Sequence, residues 1–449
     1  MEIIDSLINA KWVIPVEPKG KWYDNYSLAI HNGKIIELLP SAKATQKYQA
    51  HASVDLNQHA ILPGLVNSHT HAAMALFRGM ADDLPLMDWL ENHIWPAEAR
   101  WVTPDFVESG TKLTIAEMLK SGTTCCNDMY FYPDVAASVA ADIGMRITVG
   151  LIVLGFPTAW ASSLEEYFHK GLEVHDKYRG NPLIQTAFAP HAPYTVPDEG
   201  LLKVATLAQE LDISIHMHIH ETAKEILDSK QNCGKSPIRR LQELGLLSPQ
   251  LMAVHMTSLD EEDCDLIKDS GTHVIHCPQS NLKLASGLCP VHKLSQLGIN
   301  IALGTDGAAS NNDQDMLAEM QTAALLGKLV AADASAMPAA DILQMATLNG
   351  ARALGLQDSI GSLTAGKAAD IIAIDLSAIA TQPVYNPISQ VVYAASRDQV
   401  TDVWVAGSRL VNNRQLTTLD EQAVIEKANA WCSAIQAGEL EQESNLRND

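Results

Sequence analysis

Basic residues are scarce in this 449-residue chain: 31 Lys and Arg stand against 53 Asp and Glu, a formal net charge of −22. A phosphate backbone is bound by releasing its counterions to Lys and Arg, so this deficit argues against nucleic acid as a partner. Aromatic residues make up only 5% of the chain, too few to favour an aromatic platform for single strands. No apolar run approaches the ~20 residues that a bilayer crossing needs, and no signal peptide is read at the N-terminus. The seven cysteines are odd in number and contain no C-x-x-C pair, so neither a disulfide framework nor a thiolate zinc cluster is expected. Reduced thiols point to a cytoplasmic protein. Internal repeats and low-complexity linkers are also missing. What the chain does have is 47% hydrophobic residues, ample for a large core, and sixteen histidines.

The length suits two or three ordinary domains, or one large α/β barrel with an appendage. Eight apolar runs alternate with helical stretches between residues 61 and 361. They are AILPGLVNSH, GTTCCNDMYF, MRITVGLIVLG, IQTAFAPHAPY, ISIHMHIHE, LMAVHMT, THVIHCPQS and NIALGTDG. Eight β-α alternations over ~300 residues predict a (β/α)8 TIM barrel. A doubly wound open sheet is the alternative, but no G-x-G-x-x-G follows the first strand. Residues 1–60 and 362–416 are β-rich, and Asn32-Gly33 marks a hairpin because both residues tolerate positive φ. The two pieces are expected to join into a small composite β-sandwich domain. Residues 417–449 read as a C-terminal helix opened by Thr and Asp caps, with a tail (QESNLRND) expected to fray.

The polar residues of the eight runs gather at their C-terminal ends. His69 and His71 follow the first, His191 the fourth, and His218 to Glu221 the fifth. His255 ends the sixth and Asp306 the eighth. In a TIM barrel these ends converge on the face that holds the active site. His69 and His71 fall on one side of an extended chain, so both rings can reach one cation. An H-x-H pair alone is weak; closing an apolar strand makes this one stronger. His216, His218 and His220 share a face by the same parity, which cannot choose the ligand among them. Asp306 can be a turn residue or helix cap, but facing several imidazoles it is more simply a metal ligand or base.

A His, His, His, Asp set without thiolate suits one divalent metal ion, zinc or ferrous iron. Such an ion lowers the pKa of bound water from ~15.7 to near 7. Asp306 can then take the water proton, Glu221 can deliver a proton to a substrate nitrogen, His255 can orient the nucleophile and His191 can hold the substrate.

The segments LPGLVNSHTHAAMALFRGMADDLPLMDWLENHIWPAE, PHAPYTV, HIHETAKE, HCPQSNLKLASG, LGTDGAASNN and GSLTAGKAADIIAID resemble the amidohydrolase superfamily. Within it they are most similar to the 5-methylthioadenosine/S-adenosylhomocysteine deaminases, which are grouped with chlorotriazine hydrolases and guanine deaminases. The resemblance spans essentially the whole chain. It implies metal ligation by His69, His71, His218 and Asp306. Glu221 would protonate the purine ring, His255 would stand near the attacking water, and Asp306 would also serve as general base. His191 would contact the substrate, Glu98 would hold the ribose diol, and Trp89 would wall the sugar and sulfur end. A solvated Glu98 is the ordinary alternative for an acid at the start of a helix. Two carboxylate oxygens, however, can accept both hydroxyls of a cis-diol.

The implied activity is hydrolytic release of ammonia from a 6-aminopurine nucleoside. Methylthioadenosine is expected first, S-adenosylhomocysteine and adenosine less well, with a free-base or triazine substrate as the alternative. The order follows from a departure: the third strand offers only Arg146, early in the run, where a homocysteine carboxylate would need a cation. Gly150, Leu151 and Leu154 stand beyond it. A ring-opening relative with two metals would place a lysine on the fourth strand, and FAPHAPYT has none. A non-catalytic relative would have broken ligand sets. A homo-oligomer is expected. Five histidines are thus assigned, and the other eleven are read as packing or surface residues, His220 without any account.

Overall fold

The computed structural model describes residues 1–446, and side chains are described through residue 438. The strands are β1 (Glu2–Val13), β2 (Tyr23–His31), β3 (Lys34–Pro40), β4 (Tyr48–Pro63), β5 (Leu65–Thr70), β6 (Thr123–Asp128), β7 (Arg146–Val153) and β8 (Ile184–Pro190), followed by β9 (Ile215–Ile219), β10 (Leu251–His255), β11 (His273–His276), β12 (Ile301–Leu303), β13 (Ile371–Asp375), β14 (Val400–Val405), β15 (Ser408–Asn412) and β16 (Gln415–Leu416).

Strands β5 to β12 are neighbours in sequence order, and the paired ones run parallel. Helices follow them on the outside, which is the (β/α)8 barrel the eight runs predict. Their side chains are buried almost throughout, because a parallel barrel is covered on both faces. The helices are cut to length by local signals. Thr103, Ser163, Thr222 and Ser236 accept backbone N–H groups at helix starts, and Gly144, Gly234 and Gly271 end helices in the left-handed conformation.

The ladder leaves β5 and β12 as its two ends. Other bonds close that seam: the Asp306 N–H donates to the His69 carbonyl at 3.0 Å and the Thr305 N–H to Asn67 Oδ1 at 3.0 Å. Gly304 permits the approach, since a Cβ there would lie 2.8 Å from the His69 backbone.

The two chain ends meet as expected. The remaining strands form one eight-stranded mixed sheet in the order β16-β15-β14-β13-β4-β1-β2-β3. β13 pairs antiparallel with β4, Ile371 opposite Pro63, and so ties the late segment to the early one. Asn32 and Gly33 turn the β2–β3 hairpin with φ of 51° and 72°. That turn sits against the β14–β15 turn: a Cβ on Gly33 would meet the Ala406 carbonyl at 2.6 Å. The C-terminal helix runs Glu421–Leu446 and Asp420 caps it through the Ala423 N–H. The end of the tail expected to fray, residues 447–449, lies outside the described residues. Among the described residues no helix is long and apolar enough to cross a membrane.

Candidate metal centre and substrate cavity

The β5 end carries His69 and His71 into the barrel mouth, and the β9 end carries His218. Asp306 follows β12. One ligand atom from each lies within 4.8 Å of all the others. His69 Nε2 and His71 Nε2 stand 3.1 and 3.2 Å from Asp306 Oδ1, and His218 Nε2 stands 3.3 Å from His69 Nε2. Each imidazole is held from behind. His71 Nδ1–H donates to the Met129 carbonyl at 2.6 Å and His218 Nδ1–H to the His191 carbonyl at 2.7 Å, so both Nε2 lone pairs point inward. His69 Nδ1 meets His216 Nε2 at 2.7 Å. Burial opposes ionisation of Asp306, but the adjoining His69 and His71 imidazoles outweigh it and hold the carboxyl well below its usual range. Three inward imidazole nitrogens and a carboxylate, buried and held from behind, fit a divalent ion of the zinc or iron type.

Above these donors opens a cavity of about 500 Å³. Glu221, from the loop after β9, lines it, and burial raises its pKa above the usual carboxyl value. His255 Nε2 faces Glu221 Oε2 at 3.8 Å. His255 Nδ1–H donates to Asn281 Oδ1 at 2.9 Å, leaving Nε2 a lone pair toward the cavity. His191 is held neutral, its pKa pushed down to about 3 by burial and by the facing His71 and His69, while Nδ1 pairs with Thr195 Oγ1 at 3.1 Å.

Trp89 and Glu98 reach the same cavity from the long insertion after β5. There a π-helical turn, Leu90–Ile94, interrupts two short helices, and such turns are common at functional sites. Burial pushes the Glu98 carboxyl up to about 7, against the lowering effects of Tyr130 and His71. The Tyr130 hydroxyl sits beside it, buried without a completed hydrogen bond. The surface reading of Glu98 therefore gives way to a cavity-lining one. No Lys or Arg lines the cavity among the described residues. Arg146 is far from this role: it forms a buried bidentate pair with Asp370 at 3.0 and 3.2 Å, tying the barrel to the mixed sheet.

The nine residues given site roles in the sequence converge here. Strand parity alone does not separate His216 from His218 and His220; His216 packs behind His69, its Nε2 2.7 Å from His69 Nδ1. His220 is a packing residue after all. It is buried with φ of 53°, Nδ1 donates to the Ser258 carbonyl at 2.8 Å, and the ring holds the loop that delivers Glu221. Residues with no sequence signal of their own complete the site. Ser280 and Ser310 donate to Asp306 Oδ2 at 2.6 and 2.9 Å, Asn281 orients His255, and Glu225 accepts the backbone N–H groups of His220 and Glu221 at 3.2 and 2.8 Å.

Comparison with known proteins agrees with this geometry. The amidohydrolase family model matches residues 60–410. A 5-methylthioadenosine/S-adenosylhomocysteine deaminase of Saccharophagus degradans is 51% identical over 433 residues, covering 96% of this chain and 97% of its own. One from Teredinibacter turnerae is 50% identical, covering 95% and 97%. A zinc-bound crystal structure of an adenosine deaminase from Xanthomonas campestris superposes with a TM-score of 0.96 at 50% identity, covering 97% of this chain and 99% of that one. An atrazine chlorohydrolase from Arthrobacter aurescens shares the fold at 23% identity and a TM-score of 0.89, covering 95% and 100%. The chain belongs to the amidohydrolase family, among the relatives that carry the name 5-methylthioadenosine/S-adenosylhomocysteine deaminase.

Proposed function

We propose that this protein is a metal-dependent hydrolytic deaminase of 6-aminopurine nucleosides, with methylthioadenosine preferred. The observation that carries the reading is one cavity joining the four-donor centre, Glu221 and Glu98. A divalent ion at His69, His71, His218 and Asp306, zinc first with ferrous iron as the alternative, would supply the acidity that makes water a nucleophile at neutral pH.

The protein's own groups do the rest. Asp306 accepts a proton from the attacking water. Glu221, whose carboxyl burial raises above its usual range, delivers a proton to the ring nitrogen beside C6. His255 presents Nε2 where the water oxygen must approach, and neutral His191 hydrogen-bonds the purine. The water oxygen bonds to C6, Asp306 passes the proton it took to the exocyclic amine, the C6–N bond breaks to release ammonia, and the remaining hydroxyl proton returns to Glu221, leaving the 6-oxopurine nucleoside. At the other end Glu98 accepts the ribose diol, and Trp89 with Leu154 and Phe156 forms an apolar wall for the 5′ thioether. Among the described residues no Lys or Arg lines this cavity itself, while Lys224 and Arg240 line the adjoining one, and this supports a preference for the methyl thioether over S-adenosylhomocysteine.

Seven free cysteines support a cytoplasmic location. Exposed Leu325 and Leu329, one turn apart on a single helix, support a homo-oligomer. The function is tested by kcat/KM for methylthioadenosine, S-adenosylhomocysteine, adenosine and guanine on samples of measured zinc content. Methylthioadenosine should lead; guanine as the only good substrate would refute the reading.

A further inference from the structure

Asp306 holds an unusual backbone position, with φ of 65° in a residue that is not glycine. That conformation is disfavoured and must be fixed by its surroundings. It also lies at the seam where β5 and β12 share no ladder. Gln314, fully buried and eight residues further on, spans this seam. Its Nε2 donates to the Asp306 carbonyl at 3.0 Å. Its Oε1 accepts from Thr70 Oγ1 on β5 at 2.8 Å and from Thr305 Oγ1 at 2.9 Å. One carboxamide thus ties the strand that bears His69 and His71 to the peptide that bears Asp306.

The Gln314 backbone is anchored separately. Its N–H donates to Glu117 Oε1 at 3.2 Å, and its carbonyl accepts from Ser121 Oγ at 3.2 Å. The side chain can therefore be altered without releasing the loop. We infer that Gln314 is a positioning residue of the metal centre: its carboxamide holds the Asp306 peptide across the open seam and so sets where the carboxylate meets the ion. The inference rests on the proposed metal-dependent reading, but zinc binding can be measured without any substrate.

The test compares the zinc affinity of metal-free wild type, Gln314→Met and Asp315→Ala by competition with a chelator. Methionine keeps the length and loses the hydrogen bonds. Asp315→Ala removes the cap of the next helix and loosens the same loop without touching Asp306. Gln314→Met should bind zinc roughly 10–100-fold more weakly, as loss of a residue that orients a ligand does. Asp315→Ala should keep wild-type zinc affinity despite a lowered Tm. With zinc saturating, Gln314→Met should lose kcat for methylthioadenosine at nearly unchanged KM. Wild-type zinc affinity in Gln314→Met, or equal weakening in Asp315→Ala, overturns the inference. Should Gln314→Met fail to fold, Gln314→Asn decides: the shortened carboxamide cannot reach both sides of the seam, so weakened zinc binding supports the inference and unchanged binding overturns it. A wild type that binds zinc yet deaminates no nucleoside would refute the proposed substrate and leave this result standing.

Discussion

His216 Nε2 lies 2.7 Å from His69 Nδ1, with both rings fully buried. His69 can turn its Nε2 lone pair toward a metal only if Nδ1 carries the proton, and His216 Nε2 is the acceptor that fixes this tautomer. Replacing His216 by Phe should leave a buried N–H unsatisfied and weaken zinc binding by roughly 10–100-fold. Chelator competition measures this. Unchanged affinity would assign the contact to packing alone.

In the proposed reading Glu98 accepts the ribose diol, and so it should separate nucleosides from free bases. Glu98→Leu should raise KM for methylthioadenosine and leave KM for a nucleoside lacking the 2′ and 3′ hydroxyls unchanged. The carboxyl is pushed up to about 7 by burial. Its charged, diol-accepting form is present above that pH and is lost as pH falls through it. The KM ratio of the diol-lacking to the diol-bearing nucleoside should therefore shrink on acidification in wild type and stay flat in the variant. Steady-state kinetics at several pH values read this directly.

Most of the barrel and half of the site are legible in the sequence, for a physical reason. Strand ends that should be apolar or turn-forming instead carry His69, His71, His218, His255 and Asp306, and parallel strands bring all such ends to one face. The Asn32-Gly33 hairpin is legible because its two positive φ values demand those residues. Glu98 is legible only through the family resemblance, since an acid in a helical stretch has the same local signature whether it faces water or a cavity. His216 escapes because strand parity gives it the same face as His218, and only the register of β9 against β10 decides which ring reaches the centre. Gln314 escapes because its partner Thr70 is 244 residues away across a seam with no pattern in either segment.

Asp306→Asn should abolish turnover while leaving folding largely intact. The amide keeps the volume and can still accept from Ser280 and Ser310. It supplies no base for the water proton. Far-UV circular dichroism and thermal melts check the fold, and ammonia release checks activity. Retained turnover would remove Asp306 from its role as base.

Arg146 supplies a different control. Its pair with Asp370 is buried on both sides, and breaking such a pair costs about 3–5 kcal/mol because one charge is stranded. Arg146→Met should lower Tm sharply and leave the preference for methylthioadenosine over S-adenosylhomocysteine unchanged. A change in that preference at constant zinc content would mean that this guanidinium reaches the substrate.

The most direct test of the account is ammonia release from methylthioadenosine by wild type and Glu221→Gln, each with its zinc content measured. One zinc per chain is expected in both, with rapid turnover in wild type and almost none in Glu221→Gln, whose amide has no acidic proton to deliver to the purine ring. Undiminished turnover in the zinc-loaded variant, or none in zinc-loaded wild type, would contradict it.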